Sequence, residues 1–467
     1  MQLEDKIFQR PVDAGGASAP RPLTFPLRRR AFNYPLHAAR ILLVAALFGA
    51  PLAFGAVIPV AWVALGLIAS VALFLWALGS VQLGQIKPLW SPLYIPLGLF
   101  FLLAAAQSAA RLTLDTSETR QALVLLTTDL IFYFLAVQLF GGARGFALQP
   151  FGMAALIFAG CLGLFAILES ASGAQRIYGL FETPNGGMFG PYVNRDHFAG
   201  LMEMLLPVAI LYLAGRHGRL SLEGSVWRAS AVVLALAALL LSGSRAGLLA
   251  LAAEMVIATV VLRRAALRTG QKRRLATAAG LVLVAGVILF AYVDPGWVAK
   301  KLGSVAYVNR TWTDWAEERK ALSRDALHMW REHPWLGVGL GDFETAYPRY
   351  QSLPTDQWID HAHNDYAEAA AETGVVGALL ILATMALFLY LAFRNVAHLF
   401  GSNAGWVRLG AALGCCGLLV HSVADFNLHI PANAAWFAVL AGIATSEQSG
   451  AGRLPRPVGV PPAVRDF

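Results

Sequence analysis

The chain from about residue 41 to residue 446 is a succession of long apolar runs parted by short polar stretches. Twelve such runs stand out, near 41–58, 60–79, 92–110, 121–140, 150–170, 198–214, 228–243, 246–262, 275–293, 373–393, 408–424 and 431–446. A bilayer crossing needs about 20 mostly apolar residues, and the stretch 41–79 alone is long enough for two. Pro51 and Pro59 interrupt that first pair, but prolines are tolerated in membrane helices whose neighbours satisfy the freed carbonyls. The pattern predicts an all-α polytopic membrane protein of about 12 transmembrane helices.

One connection breaks the rhythm. Residues 294–370 put 77 positions between the ninth and tenth runs, longer than unstructured loops in ordered proteins usually are. Within it Trp312, Trp315, Leu322, Ala326, Met329 and Trp330 recur at near-helical spacing, which predicts an amphipathic helix. His333-Pro334 and the glycines Gly337, Gly339 and Gly341 then turn the chain. That G-x-G-x-G follows a helix rather than a strand, so it implies no dinucleotide-binding loop. Neither H-E-x-x-H nor G-x-S-x-G occurs. The expected organisation is a basic tail (1–40), helices 1–9 (41–293), a large and mainly helical outer loop (294–370), helices 10–12 (371–446) and a disordered tail (447–467).

Composition agrees with a membrane protein. The chain is 57% hydrophobic and 14% charged, against about a quarter charged in soluble domains. With the N-terminus inside, the expected cytoplasmic segments hold 23 of the 36 Lys and Arg, and the short outer connections hold 5. That asymmetry predicts both termini in the cytoplasm. The net charge of +8 is then an orientation signal, not a nucleic-acid footprint. No cleavable leader is expected, because the first apolar run follows about forty residues ending in "PLRRRAFNYPLHAAR". Cys161, Cys415 and Cys416 all fall in apolar runs, where thiols are ordinary filler.

The polar residues gather at "HAHNDYAEAAAETGVVGALL" (361–380), where the outer loop re-enters the membrane. On a helix, His361, Asp365, Glu368 and Glu372 form one stripe, with His363 on another side. Carboxylates at a helix start are favoured by its dipole and need no further role. Two histidines beside carboxylates suit a metal, but an H-x-H pair on one helix points two ways, and no metal is expected. Imidazole, with an ordinary pKa near 6.5, suits a general base at neutral pH, which makes His363 the candidate. A hydrogen-bonded core histidine is the alternative. Gly374 and Gly377 read as small residues that let another helix approach.

His363-Asn364, nine residues, then Gly374-Val-Val-Gly377 resembles the H-[NSQ]-x9-G-x-x-G signature of the bacterial O-antigen ligase family, a superfamily that also holds O-antigen polymerases and protein O-oligosaccharyltransferases. "SGSRAG" (242–247), "HPWLGVGLGDF" (333–343) and the large loop before the histidine are similar too. The resemblance implies a bacterial inner-membrane glycosyltransferase with a periplasmic site and no cofactor. Its donor would be an undecaprenyl diphosphate-linked glycan, and its acceptor a hydroxyl of lipid A-core (ligase) or of a second lipid-linked glycan (polymerase). Membrane lipids would be partners and nucleic acid would not.

The family's essential histidine maps onto His363, and one of its arginines onto Arg319. The first outer loop offers Arg176 or Arg195, and Arg245 ends the seventh apolar run. Arginine gives phosphate oxygens a bidentate, always-charged partner and can take a metal's place there. Asn364, His361 and Tyr366 are further candidates for substrate binding, and Asp425 and His429 in "HSVADFNLHIPAN" for lining the same cavity. The Trp and Tyr residues of the loop could stack on sugars. The competing class is a lipid-linked glycan flippase or other transporter. It is disfavoured because the apolar runs hold hardly any ionisable residues, which transporters keep near the midplane.

Overall fold

The computed structural model describes residues 33–84, 86–173, 176–182, 187–215, 221–269, 305–352, 358–394 and 402–446. Among the described residues eight α-helices precede the loop: α1 (Tyr34–Leu52), α2 (Pro59–Gln82), α3 (Tyr94–Ala109), α4 (Thr116–Phe140), α5 (Leu148–Ala171), α6 (Arg195–Ala214), α7 (Leu222–Ser242) and α8 (Arg245–Thr269). The loop contributes α9 (Val305–Glu332) and the single turn α10 (Phe343–Ala346). Three helices close the chain: α11 (Asp365–Phe393), α12 (Asn403–His421) and α13 (Pro431–Thr445). Among the described residues nine helices are long and apolar enough to cross a membrane, and α3 and α13 are shorter apolar helices. The expected run 275–293 and most of both tails lie outside the described residues. Among the described residues, β structure is confined to a two-stranded hairpin, β1 (Arg176–Ile177) with β2 (Phe181–Glu182), and a bridge between Phe189 and Tyr192.

Helix ends follow local chemistry. Asn33 caps α1, its side chain accepting from Leu36 N–H at 3.0 Å, so α1 starts before the apolar run does. Pro59 opens α2 at a position where no N–H is needed. At the centre lie α6 and α12, with 83% of their spans buried against 22–50% for the other spanning helices. Gly410 and Gly414 of α12 face α6 so closely that an added Cβ would meet the backbone at Val208 and Met204 within 2.6 and 2.7 Å. Small residues of this kind let membrane helices pack backbone to backbone.

The loop folds as a cap over α11. Leu322, Ala326 and Met329 of α9 are buried with Phe343, Ala346, Tyr347, Tyr350 and Ala371 in a small second core, as the helical spacing predicts; the side chains of Trp312 and Trp315 lie outside the described residues. Asp325 fastens this core, accepting from Tyr347 O–H and from the N–H and O–H of Ser352 at 3.0–3.1 Å. The turn after α9 lies along α11, where that helix breaks at Gly374 (φ 66°, ψ −166°). Val338 N–H donates to Ala371 O, Gly339 N–H to Glu372 O, and Val375 N–H to Pro334 O, at 2.8–3.0 Å. The break therefore exchanges helical bonds for bonds to the cap. The neighbour at Gly374 is this backbone and not another helix, and Gly377 faces its own Thr373.

Two predictions follow from these contacts. At Gly374 a Cβ would meet the Trp335 carbonyl carbon at 2.3 Å, in a backbone region only glycine enters readily. Gly374→Ala should destabilise by at least about 1–3 kcal/mol in thermal unfolding in detergent, whereas Gly49→Ala, with nothing within 4 Å, should not. Burial raises the Asp342 carboxyl to about 6, against the lowering effect of the Asp115 and Leu114 N–H groups that it accepts from. A carboxyl raised on folding favours the fold below its unfolded pKa and loses that contribution as pH climbs through the folded value. The thermal midpoint should fall between about pH 4 and pH 6, and Asp342→Asn should flatten that slope.

Candidate active site

His363 sits one residue before the first turn of α11. Asn364 is the cap, its side-chain oxygen accepting from Tyr366 and Ala367 N–H at 3.1 Å while its amide donates to Ser323 Oγ of α9 at 3.2 Å. A strong N-cap at 364 starts the helix at Asp365. His361 and His363 therefore precede the helix, and the single-face stripe expected from His361 to Glu372 is replaced by a bend. His363 makes that bend with φ 47°. Its ring stands edge-on to Phe426, centroids 4.7 Å apart, and its side chain keeps 18% exposure, enough for a substrate to reach.

The partner of His363 is Asp425, in the turn between α12 and α13. His363 Nδ1 lies 3.1 Å from Asp425 Oδ1, and Asn427 Nδ2 donates to Oδ2 at 3.1 Å. His197 of α6 and His421 of α12 each bring Nε2 to 3.7 Å from Oδ2. Burial opposes the charge on Asp425, but His197, the bond from His363 and His421 outweigh it and hold the carboxyl below the usual range. An ionised carboxylate accepts only, so the Nδ1 of His363 carries the proton and Nε2 keeps the basic lone pair. Behind Asn427 the bonds continue through Asn433 to Tyr192 O–H at 2.8 Å each. Below, His421 Nδ1 pairs with Glu203 Oε1 at 2.9 Å, both fully buried.

A second cluster lies beside the first. His361 Nδ1 is 2.7 Å from Glu368 Oε1, and its ring stacks on Phe426 and tilts over His429. His429 reaches Asp365 through Nδ1 at 2.9 Å and Glu368 through Nε2 at 3.4 Å. His429 also lines a cavity of about 310 Å³ together with Asp129, Asp365, Tyr366, Glu372 and apolar side chains such as Leu97 and Phe437.

The arginines divide. Arg195 opens α6, two residues before His197, and reaches toward Gly243 in the α7–α8 turn. Arg245 opens α8 within electrostatic reach of Arg195 and Asp196. Arg319 lies one turn ahead of Ser323 on α9, with its Nε buried and without a hydrogen-bond partner among the described residues. Arg176, by contrast, is taken up by Glu182 across the hairpin, with both side chains exposed. Arg195 shares the start of α6 with His197, which stands 3.7 Å from Asp425, and Arg319 shares α9 with Ser323, which accepts from Asn364. Asn364 spends its side chain on backbone and Ser323, and Tyr366 donates its hydroxyl to Leu419 O at 2.6 Å, so both position the site. Tyr347 and Tyr350 belong to the cap core, and Trp335 is exposed.

Sequence reasoning missed Glu203, Asn427 and Asn433, and the joint role of His197 and His421. It also missed that Glu203, Glu254 and Asp129 lie inside spanning helices. Glutamates amid apolar runs were the available signal, because ionisable residues inside a span are rarely there for solvation. Their presence weakens the case against a transporter, which rests on spans nearly free of ionisable residues.

A bundle of spanning helices whose one end gathers histidines, buried carboxylates and arginines defines a multi-pass membrane protein with a polar site at a bundle end. Residues 230–382 match the family model described as O-Antigen ligase, a segment that takes in α8, the cap and His363 through Gly377. That match supports the O-antigen ligase family for this chain and a membrane enzyme of O-antigen assembly. No curated protein matches the chain.

Asp425→Asn keeps the side chain's size but removes the charge that fixes the tautomer of His363. Turnover in a reconstituted transfer assay should fall by about 10²–10⁴-fold with little change in KM. Unaltered turnover would show that the His363–Asp425 pair is structural.

Proposed function

We propose that the protein transfers a glycan from an undecaprenyl diphosphate-linked donor to an acceptor hydroxyl at the periplasmic face of the bacterial inner membrane, by direct displacement with inversion. The observation that carries this reading is the bond between His363 Nδ1 and Asp425, which leaves Nε2 as a base at a partly exposed position. His363 Nε2 takes the acceptor proton as the acceptor oxygen bonds to the anomeric carbon. The bond from that carbon to the phosphate oxygen breaks, and its electron pair leaves with the diphosphate. The leaving group needs charge stabilisation more than an acid, and Arg195, Arg245 and Arg319 supply it with fixed guanidinium donors. The mostly apolar cavity beside α11, which His429 and Asp365 also line, suits part of a lipid chain. The acceptor is lipid A-core for a ligase, or a second lipid-linked glycan for a polymerase.

His363→Ala in the native host should lower transfer by about 10²–10⁴-fold. Full-length polymer retained on the lipid diphosphate would identify a ligase, and single repeats transferred to lipid A-core a polymerase. Arg195→Lys, Arg245→Lys and Arg319→Lys keep the charge but lose the bidentate fork, and each should cost about 10- to 10³-fold in turnover. Unchanged glycans in His363→Ala would remove the imidazole from the mechanism.

A further inference from the structure

The second cluster takes no part in the proposed chemistry, yet it has the donor set of a metal site. His361, Glu368 and His429 each offer one ligand atom, and these atoms all lie within 4.8 Å of one another. Glu368 Oε1 stands 2.7 Å from His361 Nδ1 and 3.4 Å from His429 Nε2. Ligands of a tetrahedral zinc ion stand about 3.4 Å from one another. Glu368 and His429 already span one such edge, and His361 must draw back from Glu368 by about 0.7 Å to span another.

The surroundings fit as well. Asp365 Oδ1 lies 2.9 Å from His429 Nδ1, which fixes the proton there and turns the Nε2 lone pair toward Glu368; metal-bound histidines nearly always carry such a partner. Glu368 Oε2 accepts from Ala362 N–H at 2.7 Å, so Oε1 is the oxygen left for an ion. The histidine side chains are 24% and 31% exposed, which gives an entry path, while Glu368 is sealed at 1%.

We propose that His361, Glu368 and His429 bind one divalent transition-metal ion, zinc by donor set, with Asp365 orienting His429. The ion ties the 361–363 segment to the 427–429 turn. His363 and Asp425 flank that tie, so the ion holds their register without entering proton transfer or diphosphate departure.

The test is elemental analysis of the full chain, purified in detergent with a histidine-free tag, loaded with zinc chloride and desalted. About one zinc per chain is expected. It should be lost in His361→Ala, His429→Ala and Glu368→Gln, retained in His363→Ala, and bound about 10- to 100-fold more weakly in Asp365→Asn. Cobalt(II) loaded in place of zinc should give visible d–d bands in the wild type, which decides the matter if a variant misfolds. Zinc below about one ion in ten chains, equal zinc in the wild type and in folded ligand variants, or a wild type without those bands overturns the site. The assay contains no glycan substrate, so failure here leaves the role of His363 standing.

Discussion

A carboxylate sealed inside the end of a helical bundle must be met by donors, because an uncompensated buried charge costs several kcal/mol. Asp425, 1% exposed, is where this fold answers that constraint. Its partners come from four places: His363 ahead of α11, His197 on α6, His421 at the end of α12, and Asn427 in its own turn. Satisfying one side chain therefore sets the register of three helix ends. The same bonds aim the imidazole of His363, so the packing of the bundle and the poise of the base are one arrangement.

The cap enters through backbone contacts rather than charge. Gly374 breaks α11, and the turn after α9 bonds to the carbonyls that the break frees. Gln107 of α3 adds two bonds, donating to Leu336 O and Glu372 O. Asn364 then joins the start of α11 to α9 through Ser323. His363, held at φ 47° between that cap and Asp425, sits in a conformation that costs a non-glycine residue about 1–3 kcal/mol. Such strain persists where neighbours over-determine it, and here both flanks do.

Much of this was legible in the sequence. Long apolar runs have few alternatives to membrane helices, and the spacing of Leu322, Ala326 and Met329 marked the buried face of α9. The H-N-x9-G-x-x-G motif marked His363 and the glycine of the break. The polar network was harder to read, because its members are far apart along the chain: His197, Glu203, His421 and Asn433 each look ordinary in their own segment, and only Asp425 stood out as a candidate. The two first-loop arginines were also indistinguishable in sequence, since only the hairpin shows Glu182 beside Arg176. His361 lies outside the helix because Asn364 caps α11 at a point past which the periodicity alone would have carried it toward the N-terminus.

The central claim is that one imidazole and several guanidinium groups act on a single lipid-linked donor. An experimental structure of the protein with a non-hydrolysable undecaprenyl diphosphate glycan tests it most directly. The diphosphate should lie within hydrogen-bond reach of Arg195, Arg245 or Arg319. His363 Nε2 should stand on the opposite side of the anomeric carbon, leaving about 3–3.5 Å between that carbon and an attacking oxygen. A diphosphate bound at the other end of the bundle, or an anomeric carbon beyond the reach of His363, would contradict it.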